Sequence, residues 1–271
     1  MRVAREDSPY LTIAAELERR IKDGEWPTGG KLPRRVDLAK QYKVSRATID
    51  NAVSVLEAKG LAWAVPHVGT VVRYGMTRAR RPRGNIVKRN TGADSPGYSF
   101  PAAASTEVWY HHITPTAAEE KLTDPRLARL LGVPEGTPVL RRHRVTGPAT
   151  EPPFQINDSW ISPDIAREVP EVANQEPGPG GWLYHIERAG HWPLSWMEFH
   201  RARLPTADEA AELQIPLSVP VLEIVRVGRS GKTGKPVEVT AYVIPSDRVE
   251  TVQVLERDES AKDPWPEGFP G

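Results

Sequence analysis

The sequence predicts an α+β fold in two parts: three helices and a β-hairpin, then an antiparallel sheet with helices on one side. Three observations predict it. Over residues 9–60, apolar side chains recur at three- to four-residue spacing in three short runs. Beyond about residue 104 the pattern changes to alternating, β-prone runs separated by turns. Charge divides at the same place: the first 90 residues carry 19 Lys+Arg against 9 Asp+Glu, and the remainder 17 against 26, under a net charge of only +1. A basic N-terminal third lowers the electrostatic cost of approaching phosphate and predicts salt-dependent binding.

Pro9 opens the first helix, with Tyr10, Ile13, Leu17 and Ile21 on one side and a stop at Gly24. From Asp37 to Tyr42, Leu38, Ala39 and Tyr42 form the stripe of a short second helix, and Lys43 and Val44 break its period. Ser45 is a suitable N-cap for a third helix, since its hydroxyl can accept from free backbone donors of the next turn. Ile49, Ala52, Val53 and Leu56 continue that helix at helical spacing to Gly60. Its opposite face shows Arg46, Ala47, Asp50, Asn51 and Ser54, all short or polar, a face able to approach base edges. Leu61–Val65 and Thr70–Tyr74 flank Pro66, His67, Val68 and Gly69 as a hairpin. Together these elements predict a winged helix-turn-helix, whose usual work is to put one helix into the major groove of DNA.

Residues 9–74 resemble the DNA-binding domain of the GntR family of bacterial regulators, through Gly30, Leu32, Pro33, Leu38, Ala39, Val44, Ser45, Arg46, Thr48, Ala52, Leu56, Gly60, Gly69 and Thr70. The resemblance implies a double-stranded DNA operator as partner. The candidates for phosphate contact or positioning are Arg34, Arg35, Ser45, Arg46, Thr48 and His67, with Asp50 and Asn51 for base readout, and Ala47 and Gly69 belong to the same expected DNA-binding surface. Two departures bear on that readout: the family commonly carries an arginine where Val36 stands, and another where Asp50 stands. Arg34 and Arg35 directly precede Val36 and can supply the lost charge. A carboxylate at Asp50 can accept from cytosine N4, and Asn51 can bond adenine bidentately.

In the second part, strands are expected at Ser105–Ile113, Pro138–Val145, Pro153–Ile161, Trp192–Leu204, Val219–Arg229 and Pro236–Val243. Short helices end at Gly132, include Tyr184, and run over Thr206–Leu213 with Thr206 as cap. The runs LARLLGVPEGTPVLRRHRV and ARLPTADEAAELQIPLSVPVLEIVRVGRSGKTGKPVEVTAYVIPSDR resemble the UTRA ligand-binding domain, which shares its fold with chorismate lyase and accompanies GntR-type domains in the HutC subfamily. The resemblance implies a homodimer, with an effector of small size in the C-terminal domain. Arg142 and Arg144 alternate on one strand face and match a family pair that holds an anionic group, so the effector is expected to be anionic. Glu198, Glu238 and Tyr242 stand at strand positions resembling the family's pocket. Where the family runs through a short turn to a strand glutamate, this chain has the longer TGPATEPPF and then Gln155, Asn157 and Asp158. The stretch EPGPGG before Trp182 is either a lid or a surface loop, and Trp192 and Trp196 are expected in the core.

The expected organisation is therefore a DNA-binding domain over 8–74, a basic linker over 75–104 that includes Arg78, Arg80 and Arg81, an effector-binding and dimerisation domain over 105–257, and a disordered tail over 258–271. Arg73, at the hairpin's end, belongs to the same basic cluster, which either stays solvated or touches the DNA backbone. There are no cysteines, so disulfides and thiolate chemistry are excluded. No apolar run approaches the ~20 residues needed to span a bilayer, and a cytoplasmic regulator, acting as a repressor, is expected. The histidines lack the spacing of a metal site or a hydrolase motif, so no metal, cofactor or catalytic residue is assigned. Two alternatives remain: a DNA-binding dimer without ligand, and an enzyme of chorismate lyase-like fold.

Overall fold

The computed structural model of the chain describes residues 8–65, 67–73, 75, 79–83, 86–90, 97–100, 109–176, 178, 180–253 and 255–257. Helix α1 (Pro9–Lys22) has proline in its first turn and buries Ile13, Ala14, Leu17 and Ile21, until Gly24 at φ +81° turns the chain away. Helix α2 (Arg35–Tyr42) ends at Lys43, which takes a left-handed conformation at φ 54° and so makes the tight turn into α3 (Arg46–Ala58). Ser45 caps α3 as expected: its Oγ accepts from the Thr48 N–H at 3.2 Å. Leu17, Leu38, Ile49 and Leu56, all fully buried, form the centre of this first core. Strands β1 (Ala62–Val65) and β2 (Gly69–Val72) pair antiparallel as the wing. Pro66 and Tyr74, expected in that hairpin, lie outside the described residues.

The segment expected as a linker carries regular structure. Strand β3 (Ala79–Arg83) pairs with the last strand of the chain, and β4 (Lys88–Asn90) pairs with β5 (Gly97–Ser99). Residues 101–108, which include the start of the expected Ser105–Ile113 strand, lie outside the described residues, as does the 258–271 tail. The remainder of that expected strand is the short β6 (Tyr110–His111). Strand β7 (Thr116–Lys121) was not expected, because TAAEEK has neither β-branched alternation nor an apolar face; its backbone pairing with the next strand decides its conformation.

Helix α4 (Pro125–Leu131) is capped by Asp124 and closed by Gly132 at φ +75°. Strands β8 (Pro138–Gly147) and β9 (Gln155–Ile161) come next, then α5 (Pro163–Glu168), a 3-10 turn at Pro170–Ala173, and α6 (Gly181–Ile186). After β10 (Ser195–Arg203) comes α7 (Ala207–Leu213), opened by a capping box between Thr206 and Glu209. Strands β11 (Val221–Arg229) and β12 (Pro236–Pro245) form a hairpin, and β13 (Val249–Gln253) pairs parallel with β3.

The main sheet has the order β10-β11-β12-β9-β8, with β6 and β7 both pairing with β8, and every pair is antiparallel. Helices cover both faces, not one. α4 packs over Val139, Val225, Val227 and Val239, and α7 over Val145, Ile156 and Val221. On the reverse face α5 and α6 cover Ile161 and Val237. The expectation of one covered face came from the succession of neighbouring strands joined by turns, in which the helix α5 (Pro163–Glu168) was not foreseen. The central strands β9 and β12 are buried on both sides, so their polar residues must find partners inside the protein.

Candidate DNA-binding surface and effector pocket

The outer face of α3 presents Arg46, Ala47, Asn51 and Ser54 to solvent, with the Arg46 side chain 70% exposed. A crevice of 530 Å³ runs between this helix, the start of α2 and the wing, and Lys31, Arg34, Arg35, Arg46 and Gly69 line it. His67 at φ 61° and Gly69 at φ +116° form the exposed wing tip. Thr48, half-buried, holds Ser45 rather than facing outward, its Oγ1 lying 2.9 Å from the Ser45 Oγ. Asp50 is engaged: Arg35 donates to its Oδ1 at 2.7 Å, and Arg46 Nε lies 3.9 Å from its Oδ2. Its carboxylate therefore braces α2 against α3 in the free protein. Arg73 belongs to a different setting from the basic cluster in which it was read. It is 4% exposed and bonded to Asp247 at 2.9 and 3.1 Å, facing the second domain.

The second site is built by side chains that alternate along the strands of the main sheet. The register sets three rows across the face beneath α6. The first runs Arg144, Asn157, Tyr242, Ile224, His200; the second Arg142, Ser159, Thr240, Arg226, Glu198; the third Leu140, Ile161, Glu238, Gly228, Trp196. At the β8 end lies a cavity of 370 Å³, with Arg142, Arg144, Tyr98, His111, Glu176 and Trp182 among its walls. Gln175, Glu176 and residues 180–183 form one wall, so of the two readings of EPGPGG the covering one fits its described residues.

Arg142, 3% exposed, donates to the carbonyls of Val172, Asn174 and Gln175 at 2.5, 2.6 and 3.0 Å, pinning the chain that leads to this wall. Its Nε and the Arg144 Nε are buried without a hydrogen-bond partner among the described residues, and so is the Asn157 Oδ1. No carboxylate among the described residues comes within ion-pair distance of either guanidinium. Burial, and then the neighbouring Arg144, push Arg142 down to about 10, and burial lowers Arg144 as well. A buried cation beside a half-buried one, with no counter-ion among the described residues, is costly unless an anion joins them.

The structure divides the five expected effector residues. Arg142 and Arg144 line the cavity. Glu238, fully buried, is held by Arg226 Nε at 3.1 Å and by the Thr240 hydroxyl at 2.5 Å. Tyr242 flanks the same Arg226, its ring centroid 5.8 Å from the guanidinium carbon, and Glu198 is the cross-strand neighbour of Arg226 on the edge strand. Arg226 was missed. Its place is implied by alternation with Glu238 across the hairpin, yet the hairpin register could not be fixed from sequence. It stacks on Phe100 at 3.9 Å, and Phe100 in turn meets Trp196 edge-on at 5.1 Å. Trp196 is thus half-buried and packed against the core, whereas Trp192 is 60% exposed: it precedes the strand in a Trp-Pro turn that leaves its ring outside.

Two other polar clusters have the makings of chemistry. Ser230, His191 and Glu168 form a hydrogen-bonded chain at 2.8 and 3.1 Å. Ser230 is 2% exposed and its Oγ already accepts from the N–H groups of Lys232 and Thr233, so the chain closes a turn and has no access to a substrate. On the opposite sheet face, His143 joins Asp158 at 2.8 Å and Glu212 at 3.3 Å. These hydrogen bonds outweigh burial and push His143 up to about 9 from 6.5. A folded value above the free one means that the stabilisation is complete below about pH 6.5 and is lost as pH rises through about 9. The melting temperature should fall across that window, and His143→Asn should flatten the fall; a slope equal to wild type would show that the pair contributes nothing.

Comparison with known proteins gives one answer along the chain. Residues 9–72 match the gntR family of bacterial regulatory proteins, and residues 114–250 match the UTRA domain. A helix-turn-helix transcriptional regulator of Streptomyces coelicolor is 27% identical over 225 residues, which are 82% of this chain and 83% of that protein. The transcriptional regulator GgaR of Escherichia coli is 24% identical over 231 residues, 83% of each chain. A solved GntR-family transcriptional regulator at 23% identity superposes with a TM-score of 0.52, covering 93% of this chain and 99% of that one, which extends the likeness to the fold. No helix among the described residues is long and apolar enough to cross a membrane. The matching families and relatives are regulators rather than enzymes, and the chain belongs to the GntR family of transcriptional regulators, with a DNA-binding GntR domain and a UTRA effector-binding domain.

Proposed function

We propose that the protein is a cytoplasmic repressor that binds an inverted-repeat operator as a homodimer and is released by a small anionic effector. Residues 8–74 read the DNA, 75–104 connect, and 105–257 hold the effector and the dimer contact. The observation that carries the effector class is the pair of guanidiniums at the cavity, buried Arg142 and half-buried Arg144, which have no counter-ion among the described residues. A phosphate or carboxylate group meets that need, since planar guanidiniums bond both anions bidentately. Glu238 and Tyr242 act behind them by fixing Arg226, and Glu198 borders that residue.

On the DNA side, Arg34, Arg46, His67 and Gly69 take the phosphates, with Ser45 and Thr48 holding the start of α3. Ala47 and Asn51 face the bases, and Arg35 with Asp50 lies between. A two-fold protein reads a two-fold site. Effector and operator oppose each other reciprocally, so each weakens the other's affinity by the same factor.

The test is a gel shift on the DNA flanking the protein's own gene, at two salt concentrations and with nonspecific competitor, joined to thermal melting with inorganic phosphate and with a phosphorylated sugar. A competitor-resistant shift and a rise in melting temperature with either anion support the reading. Loss of that rise in Arg144→Met, with the DNA shift kept, assigns it to the cavity. A discrete shift with no stabilisation by either anion would favour a DNA-binding dimer without an anionic ligand.

A further inference from the structure

The wing packs on the second domain as well as on its own. β1 sends Ala62 into the three-helix core and Trp63, one residue on, to the other side, where it is buried with Val145, Ile156, Leu213, Ile215 and Val221. Arg73, at the end of β2, lies over the Trp63 ring at 4.2 Å and clamps Asp247 with two nitrogens. A second contact lies beside this one. Gly29, at φ +77°, comes so near Pro152 that an added Cβ would meet its ring at 2.9 Å.

Pro152 belongs to the TGPATEPPF loop between β8 and β9, the stretch by which this chain departs from the shorter turn of its family. That loop is held stiff. Arg248, fully buried, donates to the carbonyls of Pro152 and Pro153 at 2.8 and 3.2 Å, pairs with Glu151, and lies over the Phe154 ring at 4.7 Å. A stiff loop set against the first domain passes on movement that a solvated loop would absorb.

The junction and the cavity share two strands. Val145 and Ile156 are cross-strand partners in the Trp63 cluster, and the adjacent pair on the cavity face, Arg144 and Asn157, each bury an atom without a partner among the described residues. Successive residues of a strand point to opposite faces, so a shift that brings Arg144 onto an anion moves Val145 against Trp63. Helix α7 reinforces the link: it supplies Ala210 and Leu213 to the cluster, and its Glu212 is tied to His143 of β8.

We propose that Trp63, Arg73 and the 148–154 loop form an intramolecular clasp, through which an anion at Arg142 and Arg144 changes the orientation of the wing and recognition helix, and so the affinity for DNA. The proposal rests on reading that cavity as the effector site. Hydrogen exchange of the full chain tests the clasp without any ligand. Trp63→Ala should speed exchange at 145–156 and at 210–221 by at least about tenfold, since local opening there no longer breaks the junction. Unchanged exchange in both segments overturns the clasp. Coupling is then read as the ratio of DNA dissociation constants with and without saturating inorganic phosphate, in wild type, in Trp63→Ala and in Asp247→Asn, which keeps the apolar contact but removes the acid clamped by Arg73. The wild-type ratio should fall in the range of about 5 to 150 typical of allosteric coupling. In both variants it should shrink toward one, while phosphate still raises their melting temperatures. A full phosphate effect in either folded variant overturns the proposal. If phosphate neither stabilises the wild type nor changes its DNA binding, the anionic reading fails, and the exchange result alone decides the clasp.

Discussion

Glu238→Ala should destabilise the protein by about 3–5 kcal/mol, because it leaves the Arg226 guanidinium buried without its counter-ion. The pair is sealed: Arg226 is 5% and Glu238 0% exposed at the side chain, 3.1 Å apart. The second carboxylate oxygen is equally committed. Thr240 Oγ1 lies 2.5 Å from it and 2.8 Å from Ser159 Oγ; since one hydroxyl carries one proton, Thr240 donates to Glu238 and Ser159 to Thr240. For a domain of this size about 2–4 °C of melting temperature accompanies each kcal/mol, so a drop of about 6–20 °C is expected. Arg226→Met with Glu238→Leu should recover most of it, as apolar side chains of similar volume often replace a buried pair without net loss. Were Glu238 instead a ligand group waiting for its effector, Glu238→Ala would melt within about 1 kcal/mol of wild type and lose only effector binding; that result would return it to the pocket.

The contrast between Glu238 and Arg142 shows what sequence could and could not supply. Alternation along β8 was enough to put Arg142 and Arg144 on one face, because alternation is a property of a single strand. Whether Glu238 faces a ligand or a protein cation depends on the register between β11 and β12, which brings Arg226 level with Thr240 and Gly228 level with Glu238. The three-helix core was readable for the same local reason: Leu17, Leu38, Ile49 and Leu56 recur at helical spacing and all are fully buried. Trp63 gave no such signal. It sits in a four-residue strand whose two faces belong to different domains, and nothing in AWAV says which partner each face will have. Arg73 read as one more charge in a basic run, and only its approach to Asp247, 174 residues away, takes it out of that run.

The recognition helix offers the sharpest separation of roles. Asn51→Ala should cost about 1–3 kcal/mol on the operator and relax preference at one base pair, as expected when a bidentate base contact is lost. Arg46→Ala should weaken all DNA alike and make the dependence of log affinity on log salt shallower by about 0.9, one phosphate's share. Asp50 decides between two accounts of this surface. As a reader of cytosine it would lose affinity when replaced, at one base pair only. As a brace, bonded to Arg35 at 2.7 Å and near Arg46, it holds down charge that DNA would otherwise meet. Asp50→Asn removes one negative charge from the DNA-facing side and loosens Arg35. Nonspecific affinity should therefore rise with a steeper salt dependence, while the ratio of operator to nonspecific binding falls, because a freed guanidinium binds phosphates wherever they are. Competition binding at two salt concentrations reads both quantities, and a fall in nonspecific affinity on Asp50→Asn would remove the brace from the account.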